Sequence, residues 1–173
     1  EVAHMAEDPQ YFTYLSEAEC PVSVDLGDGR LLLERERDAG EEKYDMVLID
    51  AFSSDSIPVH LLTTEAIQLY YDRLTDGGIV LLHISNRHLD LQPLVFNLGV
   101  DHQSYVMMYE QDIDEIPEDM LGYWFPSVWM ALTKSPQTAQ AMLDAGMFQE
   151  GEARFKVRMW TDQYSNILSA FNR

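Results

Sequence analysis

Apolar residues recur along this chain at two spacings, one typical of β-strands and the other typical of α-helices. Unbroken apolar runs within residues 44–50 and 79–84 predict strands that are buried on both faces. Further strands are predicted at residues 21–26, 104–109 and 124–132. Helices are predicted over residues 1–6, 30–37, 63–74, 89–98 and 135–143, and a last short helix follows a polar turn at residues 161–165.

The order of these elements predicts an α/β fold. Strand and helix alternate three times with short connections, which is typical of a sheet wound by helices. We therefore expect a Rossmann-like, mostly parallel sheet flanked by helices, in one domain over residues 1–173. Asp76, Gly77 and Gly78 predict the end of a helix, because glycine commonly follows the last helical turn.

Polar residues follow three of the predicted strands. Asp28 follows the first, Asp50 the second, and the polar stretch at residues 83–87 the third. Ligands of open α/β sheets bind outside the carboxyl ends of the strands, so we expect Asp28, Asp50 and Asn86 near one edge of the sheet. Taken alone, each is also explained as a helix cap or turn residue, and that alternative stays open.

The charge balance narrows the range of partners. The chain has 30 acidic and 11 basic residues and a formal net charge of −19. A nucleic-acid-binding surface needs clustered basic residues, so we expect no nucleic-acid partner. Carboxylates that line a cleft concentrate cations, which favours a cationic small molecule. The alternative is an acidic surface that only aids solubility.

Cysteine content, apolar run length and histidine spacing argue against a disulfide framework, a membrane-spanning segment and a metal site, respectively. Cys20 is alone in the sequence, which excludes a disulfide framework and fits a reducing compartment. No apolar run approaches 18 residues, so we expect no direct membrane insertion and a cytoplasmic location. Apart from His83 and His88, which flank a predicted turn, the histidines lack the spacing of metal ligands. We expect no metal site.

Several of these segments also carry a family resemblance. Residues 27–29, 44–50 and 55–58 resemble the class I S-adenosylmethionine-dependent methyltransferase superfamily in its polyamine aminopropyltransferase branch. The sequence of residues 50–63 is similar to that of spermidine synthase-like domains, a subgroup often fused to membrane-spanning segments. Residues 83–87 and 160–166 are similar to later blocks of that subgroup. The resemblance covers roughly residues 1–170.

The resemblance implies a role for each matching residue. Asp28 and Gly29 would bind the adenine of S-adenosylmethionine or its decarboxylated form, with Asp50 also at the cofactor. Asp50 would be the catalytic base, and Asp55 and Tyr164 would bind a cationic polyamine. Four residues separate Asp50 from Asp55 here, whereas spermidine synthases have two between these acids. No metal is implied, because the sulfonium is already a good leaving group.

The resemblance also implies parts that this sequence does not contain. The glycine-rich turn for the methionine portion of the cofactor and the acidic residue for its ribose would precede Glu1. We therefore expect an N-terminally truncated catalytic domain that by itself binds the cofactor weakly and is inactive. Its parent would be cytoplasmic or membrane-anchored with this domain in the cytoplasm. Whether it forms a homodimer stays open.

Two alternatives to aminopropyl transfer remain at this point. One is a small-molecule methyltransferase, and the other is a non-catalytic polyamine-binding domain. A pair of carboxylates at the pocket favours a polyamine over a neutral acceptor. The aromatic residues Tyr123, Trp124, Trp129 and Trp160 fit either cation–π contacts with such a ligand or packing in the core.

Overall fold

A computed structural model of the protein describes residues 2–51, 58–86, 88–111, 127–152 and 157–170. The chain divides into two compact units, Glu1–Leu32 and Leu33–Arg173. This division leaves open whether the units fold independently, so a single domain over residues 1–173 stays a prediction.

The first unit contains helix α1 (Val2–Glu7). The strand predicted at residues 21–26 is wrong, because the structure has neither strand nor helix there and the side chains are exposed. An extended segment becomes a strand only when a neighbour accepts its backbone hydrogen bonds. Among the described residues, no strand pairs with residues 21–26. Apolar alternation alone does not reveal whether such a neighbour exists.

The second unit contains the sheet. Helix α2 (Gly29–Ala39) begins in the first unit and ends in the second, and it is followed by strand β1 (Tyr44–Ile49). A 3₁₀ turn (Val59–Leu61) and helix α3 (Thr64–Asp72) lead to β2 (Leu74–His83). The remaining elements are α4 (Gln92–Asp101), β3 (Tyr105–Glu110), β4 (Val128–Thr133), α5 (Pro136–Asp144), β5 (Gln149–Glu150) and a 3₁₀ turn (Ile167–Ala170).

The described strands form one sheet in the order β1-β2-β4-β3-β5. Strands β1, β2 and β3 run in one direction, whereas β4 and β5 run in the other. The predicted α/β class is confirmed, but the sheet is mixed rather than mostly parallel. Only β1 and β2 are parallel neighbours, because the reversed strand β4 lies between β2 and β3.

Helices cover both faces of the sheet. The larger core lies where α3 and α4 pack on one face, and it includes Ile67, Tyr70, Leu94, Leu98, Val80, Leu82, Met130 and Leu132. On the other face, Ala139 of α5 packs with Met107 and Ala131. Successive residues of β2 serve opposite faces, since Val80 and Leu82 belong to the first core and Leu81 packs against the second.

One glycine pair of the sequence lies in a different element from the one predicted. Gly77 and Gly78 do not end the preceding helix, as predicted, because α3 already ends at Asp72 and the glycines lie within β2. The pairing of β1 with β2 shifts register there, and a Cβ at Gly78 would lie only 2.9 Å from the Cβ of Leu74. The missing side chain lets the strand make this irregularity.

Candidate active site

Asp50 and His83 meet at the carboxyl ends of the two parallel strands. The last paired residues of β1 and β2 are Ile49 and Leu82, so the next residue on each strand is Asp50 and His83. Oδ1 of Asp50 lies 2.8 Å from Nδ1 of His83. The Asp50 side chain is 52% exposed and that of His83 23% exposed. The sheet thus presents a carboxylate that is held on one oxygen and accessible to a ligand.

The other side of the imidazole ring is held by β4 and the end of β2. Nε2 of His83 lies 2.6 Å from Oγ of Ser85, and Ser85 Oγ accepts a hydrogen bond of 2.7 Å from the backbone N–H of Val128. His83 is opposite Trp129 in the β2–β4 pair, and the two rings stack with their centroids 4.6 Å apart. The imidazole is therefore held at both nitrogens and on a ring face.

A small cleft lies beside Ser85 at the same edge of the sheet. Its volume is about 170 Å³, and its lining includes Asn86, Asp90 and Glu110. Asn86 closes a turn, because its side-chain oxygen accepts hydrogen bonds from the backbone N–H groups of His88 and Leu89. Two carboxylates in the lining make the cleft suitable for a cationic group.

Asp28 and Gly29 lie at the start of α2. Oδ1 of Asp28 accepts a hydrogen bond of 3.1 Å from the backbone N–H of Leu31, so the residue acts as a helix cap. Apart from its chain neighbours and its own helix backbone, no described atom lies within 4 Å of the position that a Cβ on Gly29 would occupy. The binding of a cofactor by these two residues stays a prediction.

Tyr164 closes a turn that is attached to the start of α3. Thr161 and Tyr164 exchange backbone hydrogen bonds, and the hydroxyl of Thr63 donates to Asp162 in the same turn over 2.8 Å. The Arg158 guanidinium lies 3.8 Å from the centre of the Tyr164 ring. One face of this ring is therefore already occupied by a cation, and a polyamine would have to reach the hydroxyl or the opposite face.

Some predicted residues lie outside the described part of the chain or serve another purpose. Asp55, Tyr123 and Trp124 fall outside the described residues. Trp160 is fully buried in the larger core, which decides between its two interpretations in favour of packing. Trp129 is only partly buried and contacts His83, so it contributes to the site as well as to the sheet.

The described ranges lack a clustered set of metal ligands and a membrane-spanning helix. No group of three or more histidine, cysteine, aspartate or glutamate side chains is arranged to hold a metal ion in that part of the chain. None of the helices described there is long and apolar enough to cross a bilayer.

Known proteins resemble the chain locally in sequence and more broadly in fold. No family model matches it. The polyamine aminopropyltransferase of Vibrio vulnificus (strain CMCP6) is 37% identical over 57 residues, which are 33% of this chain and 19% of that protein. The chain therefore aligns with less than a fifth of the length of this curated relative.

Solved structures extend the comparison to the fold. Human methyltransferase-like protein 13, in complex with SAH, superposes with a TM-score of 0.52 at 19% identity, over 91% of this chain and 72% of that one. The chain has a class I methyltransferase-like fold. MNMC2 from Aquifex aeolicus gives a TM-score of 0.43 at 19% identity, over 79% of this chain and 41% of that one.

The sequence pattern missed the contact between Asp50 and His83. Both residues stand at the ends of apolar runs, and that signal is visible in the sequence. Their pairing depends on the register of β1 against β2, which includes a shift between Tyr44 and Met46. Periodicity within one strand does not determine its register against another.

Proposed function

We propose that this chain carries the catalytic region of an aminopropyltransferase that moves the aminopropyl group of decarboxylated S-adenosylmethionine to a polyamine. Asp50 is the general base in this proposal. The observation that carries it is the position of Asp50, a half-exposed carboxylate at the carboxyl end of a parallel strand in a class I methyltransferase-like fold. The local identity with a polyamine aminopropyltransferase supports this choice of reaction.

The reaction needs a base because the acceptor arrives protonated. An alkyl ammonium titrates near pH 10, as a lysine does, so at neutral pH its nitrogen lacks a free electron pair. A proton passes from the amine to Asp50, and the nitrogen then attacks the aminopropyl carbon bonded to sulfur. The new C–N bond forms as the C–S bond breaks. The electron pair of the C–S bond stays on sulfur, so the sulfonium leaves as a neutral thioether.

Other residues would bind the two substrates. We assign Asp28 and Gly29 to the adenine of the donor, where the open space beside Gly29 allows a base to approach the backbone. Asp55 and Tyr164 are assigned to the cationic acceptor. Asp90 and Glu110 are the carboxylates that line the cleft beside Ser85, and they add to the attraction for such a molecule.

Methyl transfer from S-adenosylmethionine is the second candidate. The fold neighbour methyltransferase-like protein 13 is a methyltransferase by name and was solved with SAH, which supports this reaction on the same scaffold. Both candidates use a sulfonium donor and a nucleophile that must lose a proton. A domain that binds polyamines without turnover is the third candidate.

A product assay on the longest natural chain that carries this sequence separates these candidates. The protein is incubated with a diamine or a triamine and with either form of the donor, and products are identified by mass spectrometry. We expect a mass gain of one aminopropyl group, with the decarboxylated donor only. A gain of one methyl group would establish the second candidate. Polyamine binding by calorimetry without any product would establish the third.

A further inference from the structure

We propose that His83 is a positioning residue for Asp50, and that it acts by a hydrogen bond from Nδ1 to one carboxylate oxygen. The inference rests on the proposed function, in which Asp50 receives the proton of the acceptor. It starts from a chain of contacts that runs from Asp50 through His83 and Ser85 to the backbone of Val128.

The chemistry of these groups fixes the direction of two of the hydrogen bonds, and a neutral ring fixes the third. The N–H of Val128 can only donate, so Ser85 Oγ accepts there; it donates its own hydrogen to Nε2 of His83 when that nitrogen carries none. A base must be ionised, and an ionised Asp50 can only accept, so Nδ1 must carry a hydrogen. A neutral imidazole with its hydrogen on Nδ1 satisfies all three contacts at once.

In this arrangement the two oxygens of Asp50 have different roles. Oδ1 receives the hydrogen bond from His83, and within the described part of the chain no hydrogen bond is made by Oδ2. The side chain is half exposed, so Oδ2 is the oxygen that an incoming amine can reach. Holding Oδ1 removes rotamers of Asp50 that would turn Oδ2 away from the acceptor, and orientation of this kind contributes strongly to rate.

The rest of the contacts hold the imidazole itself. The stacked ring of Trp129 restricts its tilt, and the contact with Ser85 restricts its rotation. Ser85 is in turn fixed next to the β2–β4 ladder, where the N–H of Ile84 donates to the carbonyl of Val128 over 2.9 Å. These contacts thus fix the carboxylate relative to the backbone of the sheet rather than relative to a surface loop.

The same residue types occur in the order aspartate, histidine and serine in acyl-transfer enzymes, where the serine is the nucleophile. Here Ser85 Oγ also accepts the N–H of Val128 and lies one residue beyond the paired strands. This contact makes Ser85 an anchor for His83. Reaction with a fluorophosphonate decides the matter, because covalent labelling of Ser85 would indicate a nucleophilic serine and overturn our proposal.

Two substitutions at one position separate the hydrogen bond from the ring stacking. His83→Asn keeps an N–H donor near the position of Nδ1 but loses the contact with Trp129. His83→Phe keeps a ring against Trp129 but cannot donate. We expect His83→Phe to lower kcat by about 100-fold with little change in the KM of the acceptor, and His83→Asn to retain most of the activity. Equal losses in the two variants would overturn the proposal.

The controls test whether each variant folds and whether the effect is specific to the position of His83. His102→Phe replaces another histidine that bonds a hydroxyl, that of Thr64, outside the chain of contacts from Asp50 to Val128, and should leave kcat unchanged. Thermal unfolding followed by circular dichroism shows whether each variant is folded. If His83→Phe is unfolded, Ser85→Ala replaces it, since loss of the Ser85 hydroxyl should also lower kcat without a matching rise in KM.

A spectroscopic measurement keeps this inference distinct from the proposed function. Nitrogen-15 chemical shifts of the His83 ring report its tautomer without any turnover. We expect the Nδ1–H form in the wild-type protein and a mixture of tautomers in Asp50→Asn. The Nε2–H form in the wild-type protein would overturn the positioning role even in an active enzyme. The Nδ1–H form without any transfer product would instead overturn the proposed function, and with it the positioning role of His83 in that reaction.

Discussion

At the scale of single residues, Asp50 combines two properties that a general base needs. It is accessible, with half of its side chain exposed, and one of its oxygens is held by His83. A second aspartate, Asp45, lies near the start of β1, the strand that Asp50 directly follows, and accepts a hydrogen bond from the Thr75 hydroxyl over 3.0 Å. The two carboxylates therefore allow a matched comparison at the two ends of one strand.

Asp50→Asn should lower kcat for aminopropyl transfer by about 10²–10⁴-fold, the range expected for the loss of a general base. The amide keeps the size and most of the polarity of the side chain, so the fold should be retained. Steady-state kinetics with the decarboxylated donor measure the effect, and Asp45→Asn is the control. Wild-type turnover in Asp50→Asn, or an equal loss in Asp45→Asn, would contradict the assignment.

Tyr71 of α3 provides a residue-scale prediction that is independent of function. Burial raises the pKa of Tyr71 to about 12, from 10.0, against the opposing effect of its hydrogen bond with Ser104. The Lys134 ammonium lies 4.4 Å from the centre of its ring, and the His102 ring lies beside it. The folded protein thus binds the phenolic proton more tightly than the unfolded chain does.

The free energy of unfolding should therefore fall as the pH rises from 10.0 towards about 12, because over this range the unfolded chain gains stability by losing the Tyr71 proton. Urea unfolding of the wild-type protein and of Tyr71→Phe at several alkaline pH values measures this change in the free energy of unfolding. The difference in stability between the two proteins should shrink as the pH rises. Tyr105→Phe, at an exposed tyrosine, is the matched control variant.

At the scale of elements, helix α4 approaches the sheet closely at Gly99. A Cβ built on Gly99 would lie 2.5 Å from Val106 Cγ2 and 2.8 Å from Leu132 Cδ2. Both distances are far below ordinary carbon–carbon contact, so a side chain here would push the helix away from β3 and β4. The glycine permits the close packing of α4 that completes the larger core.

Gly99→Ala should accordingly lower the free energy of unfolding by about 1–3 kcal/mol, the usual cost of overpacking a core. Gly29→Ala is the matched control, because its Cβ would meet no described atom within 4 Å beyond its chain neighbours and its own helix backbone. In a helix, alanine is favoured over glycine by about 1 kcal/mol, so the control should be neutral or more stable. Chemical denaturation of both variants is the measurement, and similar stabilities would contradict the packing role of Gly99.

At the scale of the whole molecule, the net charge of −19 should affect the binding of a cationic acceptor. Asp90 and Glu110 line the cleft beside Ser85, and Ser85 is linked through His83 to Asp50. The screening length is about 8 Å at physiological salt and about 3 Å at 1 M, so added salt removes their attraction.

The KM of the acceptor should rise severalfold as sodium chloride is raised from about 0.05 to 0.5 M, because screening weakens long-range attraction. A triamine should respond more steeply than a diamine, since it carries one more charge, and kcat should change little. Initial-rate kinetics over a salt series test this, with sucrose as a neutral osmolyte control. The same KM at every salt concentration would show that the acidic surface acts only as a solvated exterior.

The sequence by itself determined the α/β class and the approximate position of most elements of the second unit. Unbroken apolar runs mark the positions of β1 and β2, and Pro93 falls in the first turn of α4, as its restricted backbone requires. Burial on both faces is wrong for β1, because it is an edge strand of the described sheet and its Met46 and Leu48 are half exposed. The sequence also marks Asp50 as a polar residue directly after an apolar strand. These features depend on local spacing, which a sequence displays.

Only the tertiary structure decided which strands are neighbours and which side chains meet. The reversed strand β4 makes the sheet mixed, and residues 21–26 remain outside it, because pairing depends on distant partners that local periodicity does not specify. The contact of His83 with Asp50 follows from the β1–β2 register, and its contacts with Ser85 and Trp129 follow from β4. Position along a strand is written in the sequence, whereas register between strands arises when they pack.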